Sequence, residues 1–224
     1  MKTNRNSMKD VFSKLAMFAA LAAVAAPGPS FAGKGGSGRD VGNGGLAVVC
    51  RDSEGAIDIV EVLDLFEGRS QYGLNIPEGK WDVDTLLESA IVRLKSRQDF
   101  QRGVQAELAH VRSNLKKLPK NVRLLNIDDA FPLVIMPPCK FEQLAAYARD
   151  GKIYLDSELH KALTKTQEAA LYLHEAIYKV ARYHGAANSV QARKLNAHLF
   201  TETADAAAID ALVDELVGSS LNYR

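Results

Sequence analysis

His174 and Glu175 stand side by side in the run LYLHEAIYKVARYHG, with Tyr178 four positions after His174 and His184 ten positions after it. A helix carrying His-Glu and then a second His at i+4 can present two imidazoles to one zinc ion, while the carboxylate serves as general base. Here Tyr178 occupies the place of the second imidazole. His184 is then the candidate for a further metal ligand, with His198 and Glu202 as later ones. Helical rise limits that set. Ten residues of unbroken helix separate His174 from His184 by about 15 Å at roughly 1.5 Å per residue, whereas two nitrogens on one zinc lie within about 4 Å. Lys179 to Tyr183 holds no glycine to turn the chain, and Gly185 comes too late.

A plainer reading of the same helix uses the ~100° step per residue. Ala169, Ala170, Leu173, Ile177 and Ala181 then form a buried stripe, with His174 at its edge near Tyr178. Glu175 points away from that stripe, toward Lys179 and Arg182, where an i,i+4 ion pair is worth a few tenths of a kcal/mol.

The elements that must position these groups follow from local signals. Thr164 and Gln167 make a capping box that opens the helix, and Gly185 can close it. Ahead of it, Asp150-Gly151 between FEQLAAYA and KIYLD is a hairpin signal. Asn188 and Gln191 could cap a following helix through Phe200, and Ile209, Leu212, Val213 and Leu216 line a last one that stops at Gly218. In the first half, LAVVC and AIDIVEVLDLF flank a glycine-containing turn and read as a hairpin. VRLLNI reads as a strand, and FPLVIMPPC as an extended run stopped by two prolines. Thr85 and Glu88 form another capping box, opening one bent helix or two helices that could reach Leu118. Val104, Leu108, Val111, Leu115 and Leu118 make an apolar seam along it, which packs in the core or offers a face to a protein partner. Trp81 reads as a hydrophobic staple or core lid, and His110 and His160 as surface or boundary residues.

The HE-x-x-Y helix behind strand KIYLD resembles that of the zincin metallopeptidases, over roughly 30 residues. That resemblance implies His174 as a zinc ligand, Glu175 as the base that activates water, and Tyr178 as a ligand or oxyanion stabiliser. The longer stretch from CKFEQLAAYA through KIYLD and LHEAIYKVAR to NSVQARKL is similar to a group of exported bacterial proteins of unknown function, in which an HE-x-x-Y helix follows a short hairpin. That likeness implies a role on the outer side of the inner membrane, with no particular activity or cofactor attached.

The address agrees. Lys2, Arg5, Lys9 and Lys14 precede the uncharged run LAMFAALAAVAA and a small-residue cleavage site ending at Ala32, the pattern of a Sec-type signal peptide over residues 1–32. Residues 33–45 form a glycine-rich leader, and residues 46–224 a single domain with a possible subdivision near 119–121. Cleavage after Ala32 takes the formal charge from +1 to −2, too little positive charge for a nucleic-acid partner. No later stretch is apolar enough to span a membrane. In an oxidising compartment Cys50 and Cys139 have two outcomes: a disulfide worth roughly 4 kcal/mol on the chain-entropy view, or two buried thiols. Strand runs and helical runs without a repeating βαβ series indicate an α+β fold: an N-terminal hairpin and long helix, then a C-terminal hairpin followed by three helices. The favoured function is a non-catalytic binding or structural module of the periplasm or envelope. The alternative is a degenerate zincin-like hydrolase with Zn as cofactor.

Overall fold

A computed structural model of the chain describes residues 45–124, 135–148 and 150–218. The expected signal peptide, most of the glycine-rich leader, and residues 125–134 of the VRLLNI and FPLVIMPPC runs lie outside the described residues. Strands and helices coexist as expected of an α+β protein, in two small sheets and seven helices among the described residues.

Strand β1 (Leu46–Arg51) is a continuous apolar run because it is the middle strand of the first sheet, paired antiparallel to β2 (Ile57–Val62) on one side and β4 (Cys139–Gln143) on the other. The β1–β2 turn is built by Asp52, whose carboxylate accepts the N–H of Glu54 and of Ala56, and by Gly55 at φ +84°. Cys50 lies directly opposite Cys139 in the β1–β4 ladder, and the two form a disulfide. Removing it with Cys50→Ser and Cys139→Ser is expected to lower unfolding free energy by about 2–5 kcal/mol. Chemical denaturation of oxidised wild type against the double variant measures this; an unchanged midpoint would show that the crosslink adds nothing to the sheet.

The second hairpin segment stops being a strand sooner than its composition suggests. Helix α1 (Leu63–Ser70) begins right after Val62, so LDLF is helical. Leu63 and Leu65 are completely buried there. Asp82, rather than Thr85, caps α2 (Val83–Ile91), accepting the Thr85 N–H at 3.0 Å. A short 3-10 turn (Val92–Leu94) then separates α2 from α3 (Gln98–Asn114), and the Gln101 amide donates to the Ile91 carbonyl at the break. Of the two expected arrangements, two helices rather than one bent helix are formed.

Helix α3 ends before the expected Leu118. Leu115 is extended and opens β3 (Leu115–Lys117), which runs parallel to β6 (Ile153–Leu155). Val104, Leu108 and Val111 are buried in the core that α3 shares with the later helices, so this seam is not a face open to a partner. At roughly 1.5–3 kcal/mol per fully buried aliphatic side chain, that packing is a large part of what fixes α3. Strand β5 (Ala145–Tyr147) pairs antiparallel with β6 across the Asp-Gly turn, where Gly151 has φ +79°. Val122 to Leu124, expected in a strand, are in none.

Four helices follow that hairpin instead of three. A short α4 (Ser157–Ala162), capped by Asp156, precedes α5 (Lys165–Tyr183), α6 (Val190–Phe200) and α7 (Ala206–Gly218). Thr164 accepts the Gln167 N–H at 3.2 Å, as its box predicts. At the other end Gly185 takes φ +86°, while its N–H bonds the Arg182 carbonyl and that of Ala186 the Ala181 carbonyl, closing α5 in a Schellman turn. Ser189, not Asn188, stands at the N-cap of α6, and Asn188 accepts from Val190 N–H instead. The stripe Ile209, Leu212, Val213 and Leu216 is buried as read from the sequence. Trp81, expected to close the core, is 67% exposed. No described helix is long and apolar enough to cross a membrane.

Candidate functional site

Helix α5 lies inside the domain, with α1, α2, α3, α6 and β2 all against it. Ala169 to Tyr178 are consecutively buried, so the helix is enclosed on every side rather than along one stripe. This changes where its polar residues point. Glu175, expected on the solvent side toward Lys179, is 0% exposed and accepts the backbone N–H of Gly45 at 2.6 Å. Gly45 itself could carry no side chain there: a Cβ would meet the Leu171 methyl at 2.6 Å. A glycine just before β1 is thus what lets the chain reach the carboxylate.

His174 is 2% exposed, and its Nδ1 lies 2.8 Å from Oδ2 of Asp64, on α1. The same Asp64 oxygen receives the Asn196 amide at 2.7 Å, and that amide also donates to the Ala170 carbonyl. One turn farther along α1, Glu67 receives two N–H bonds from Arg193 of α6, at 2.8 and 3.2 Å. Asp64 with Asn196 and Glu67 with Arg193 are matched i,i+3 pairs in opposite order, so α1 and α6 run past each other locked by two polar rungs. Arg193 is 2% exposed and is further held by the Ser189 hydroxyl at 2.7 Å.

Charge follows from these contacts. Burial would drive His174 toward the neutral form, but the Asp64 carboxylate outweighs it and raises the imidazole to about 9. For Asp64, burial raises the pKa, while His174, Asn196 and Arg193 pull it down further, so it stays ionised. At neutral pH the two therefore form an ion pair in which Nδ1–H donates to Asp64. Glu175 differs: burial dominates, against help from His174 and Gly45, and lifts its carboxyl to about 7. Four polar atoms of the cluster, Asp64 Oδ1, His174 Nε2, Glu175 Oε2 and Asn196 Oδ1, are buried with no hydrogen-bond partner among the described residues.

The other expected site residues are scattered. Tyr178 is buried beside His174, with ring centres 6.0 Å apart. His184 caps the far end of an unbroken α5, about 15 Å along the axis by the ordinary helical rise. His198 is half-buried against the Tyr72 ring, at 6.4 Å between centres. Glu202 is exposed and bonded to Asn75 through both its side chain and its N–H. Among the described residues no group of three or more His, Cys, Asp or Glu is placed to hold a metal ion.

Asp64, Asn196, Glu67 and Arg193 are the members of the cluster that sequence reading missed. Asp64 and Glu67 share an i,i+3 spacing with Arg193 and Asn196, but nothing local in either run pairs the two. His160, expected at the surface or at a boundary, is buried: its Nε2 lies 2.9 Å from the Tyr172 hydroxyl, which donates to Glu168. Burial lowers the His160 pKa, so at neutral pH this is a neutral relay tying α4 to α5. Compared with known proteins, the chain matches no family model, no curated protein and no solved structure.

Proposed function

We propose that this chain is an exported protein of the bacterial periplasm or envelope, serving as a non-catalytic binding or structural module. The observation that carries this reading is the inward use of the HE pair. His174 is committed to Asp64 and Glu175 to the Gly45 N–H, with side chains 2% and 0% exposed, so both complete the interior instead of lining an open cleft. A disulfide and the signal-like first 32 residues are in keeping with export.

One observation favours a zincin-like hydrolase instead. A histidine held through Nδ1 by a carboxylate, with Nε2 left unpartnered, is the arrangement that orients metal-binding imidazoles. Elemental analysis separates the two. The purified mature protein, before and after dialysis against a chelator, is expected to carry far less than one zinc per chain. Stoichiometric zinc that disappears in His174→Ala would overturn the non-catalytic reading.

A further inference from the structure

Strand β3 is an edge of the second sheet and carries Lys116 and Lys117, both exposed. The chain leaves it through a β-turn over residues 119–122, closed by the Val122 N–H on the Pro119 carbonyl at 3.2 Å, with Asn121 at φ +70° and Lys120 at the tip. Both flanks of the turn are pinned. The Leu118 N–H donates to the Leu155 carbonyl, and Arg123 pairs with Asp156 and Glu158 at the start of α4. Lys161 lies on the same α4, next to His160, and Lys117 is close enough to bear on the charge of that histidine. The end of β3, the turn and α4 therefore share one surface. Its acids are already matched: Arg123 takes Asp156 and Glu158, while Lys165 and the Tyr172 hydroxyl take Glu168. Lys116, Lys117, Lys120 and Lys161 are exposed and have no carboxylate partner among the described residues. Four unmatched cations stand out in a chain whose formal charge without residues 1–32 is −2. Lysines on an edge strand deter sheet pairing, but Lys120 and Lys161 lie off the strand, so that role does not account for them.

We propose that this surface docks on an anionic phospholipid bilayer, its four lysines over the head groups and Val122 at the edge of the acyl region. Two features select lipid over another polyanion. Val122 is 44% exposed among the lysines, an apolar contact that a bilayer rewards and a soluble polyanion does not. Residues 115–124 hold no aromatic side chain on which bases could stack. The docking is peripheral and reversible, since no described helix is long and apolar enough to cross a membrane. The proposal gives the envelope module its partner and rests on that reading for access to a membrane.

The test is co-sedimentation of the purified mature protein with vesicles of phosphatidylglycerol and phosphatidylcholine in equal parts, against vesicles of phosphatidylcholine alone. Binding to the anionic vesicles is expected at about 0.1 M salt and release at about 1 M, where the screening length falls to roughly 3 Å. Each lysine near such a surface contributes about fivefold to affinity, so Lys120→Gln with Lys161→Gln is expected to weaken binding about 25-fold. Both side chains are exposed, and neither substitution touches the core. Trp81 is the single tryptophan and is 67% exposed, so Trp81→Phe with Val122→Trp places the reporter on the turn. Its emission is expected to shift to the blue with anionic vesicles and to stay unchanged with heparin. Equal binding to neutral vesicles, no binding to anionic ones, indifference to the double lysine variant, or the same shift with heparin would each overturn the proposal. Zinc content is read separately, so a metal-free protein that ignores the vesicles overturns the docking surface alone.

Discussion

Asp64→Ala is expected to destabilise the protein by about 3–5 kcal/mol, the range for removing one partner of a buried ion pair. Two donors lose their acceptor at once: the His174 imidazolium and the Asn196 amide both point at the same Asp64 oxygen. The stranded imidazolium then sheds its proton or unfolds its surroundings, since a buried charge without a counter-charge is not tolerated. Denaturation midpoints measure the loss. Asp64→Leu combined with His174→Leu should recover much of it, because an apolar pair of similar volume often replaces a buried ion pair at little net cost. A single-variant loss below about 1 kcal/mol would mean that the pair merely accompanies the packing around it.

Stability is expected to fall as pH rises from about 5 to 9. For Glu175 the folded carboxyl titrates near 7, above its ordinary 4.5, so the folded protein holds a proton that the unfolded chain has already released. For His174 the folded imidazole titrates near 9, above its ordinary 6.5, with the same consequence on the alkaline side. Where the folded state binds more protons, unfolding free energy decreases with pH. The Glu175 contribution is therefore present below 4.5 and lost through 7, and that of His174 is present below 6.5 and lost through 9. The alkaline arm is worth on the order of 3 kcal/mol. Denaturation midpoints at half-unit intervals test it. Glu175→Gln, which keeps an acceptor for Gly45, should flatten the profile below pH 7 and leave the alkaline arm in place. A flat wild-type profile, or one that rises to pH 9, would show that the pair is not ionised as its surroundings dictate.

The helix bearing the HE pair was legible because its signals are local: the Thr164 cap, the apolar spacing through Ile177 and the Gly185 stop all act within one turn of the residues they govern. The Asp150-Gly151 hairpin was legible for the same reason. What hid the site was distance along the chain. Asp64 meets His174 across a sequence separation of 110 and Asn196 across 132, and no periodicity within AIDIVEVLDLF announces either partner. That run also concealed its own change from strand to helix, since Ile, Val and Leu suit a buried strand and a buried helix equally. Glu175 was misplaced because amphipathic reasoning assumes that one side of a helix faces water. Helix α5 has no such side along its middle. At Leu115 the seam continued in sequence while the backbone left the helix, because pairing with Ile153 overrode a helical spacing that would otherwise have persisted.

The bond from Gly45 to Glu175 also fixes how far the amino end can be shortened. A protease trimming inward from the amino end meets, at residue 45, a peptide group that the interior uses. One cut further takes away the peptide group that answers a fully enclosed acid. The resistant fragment after exhaustive digestion should therefore begin at or before that glycine, whose N–H is a chemical stop to further trimming.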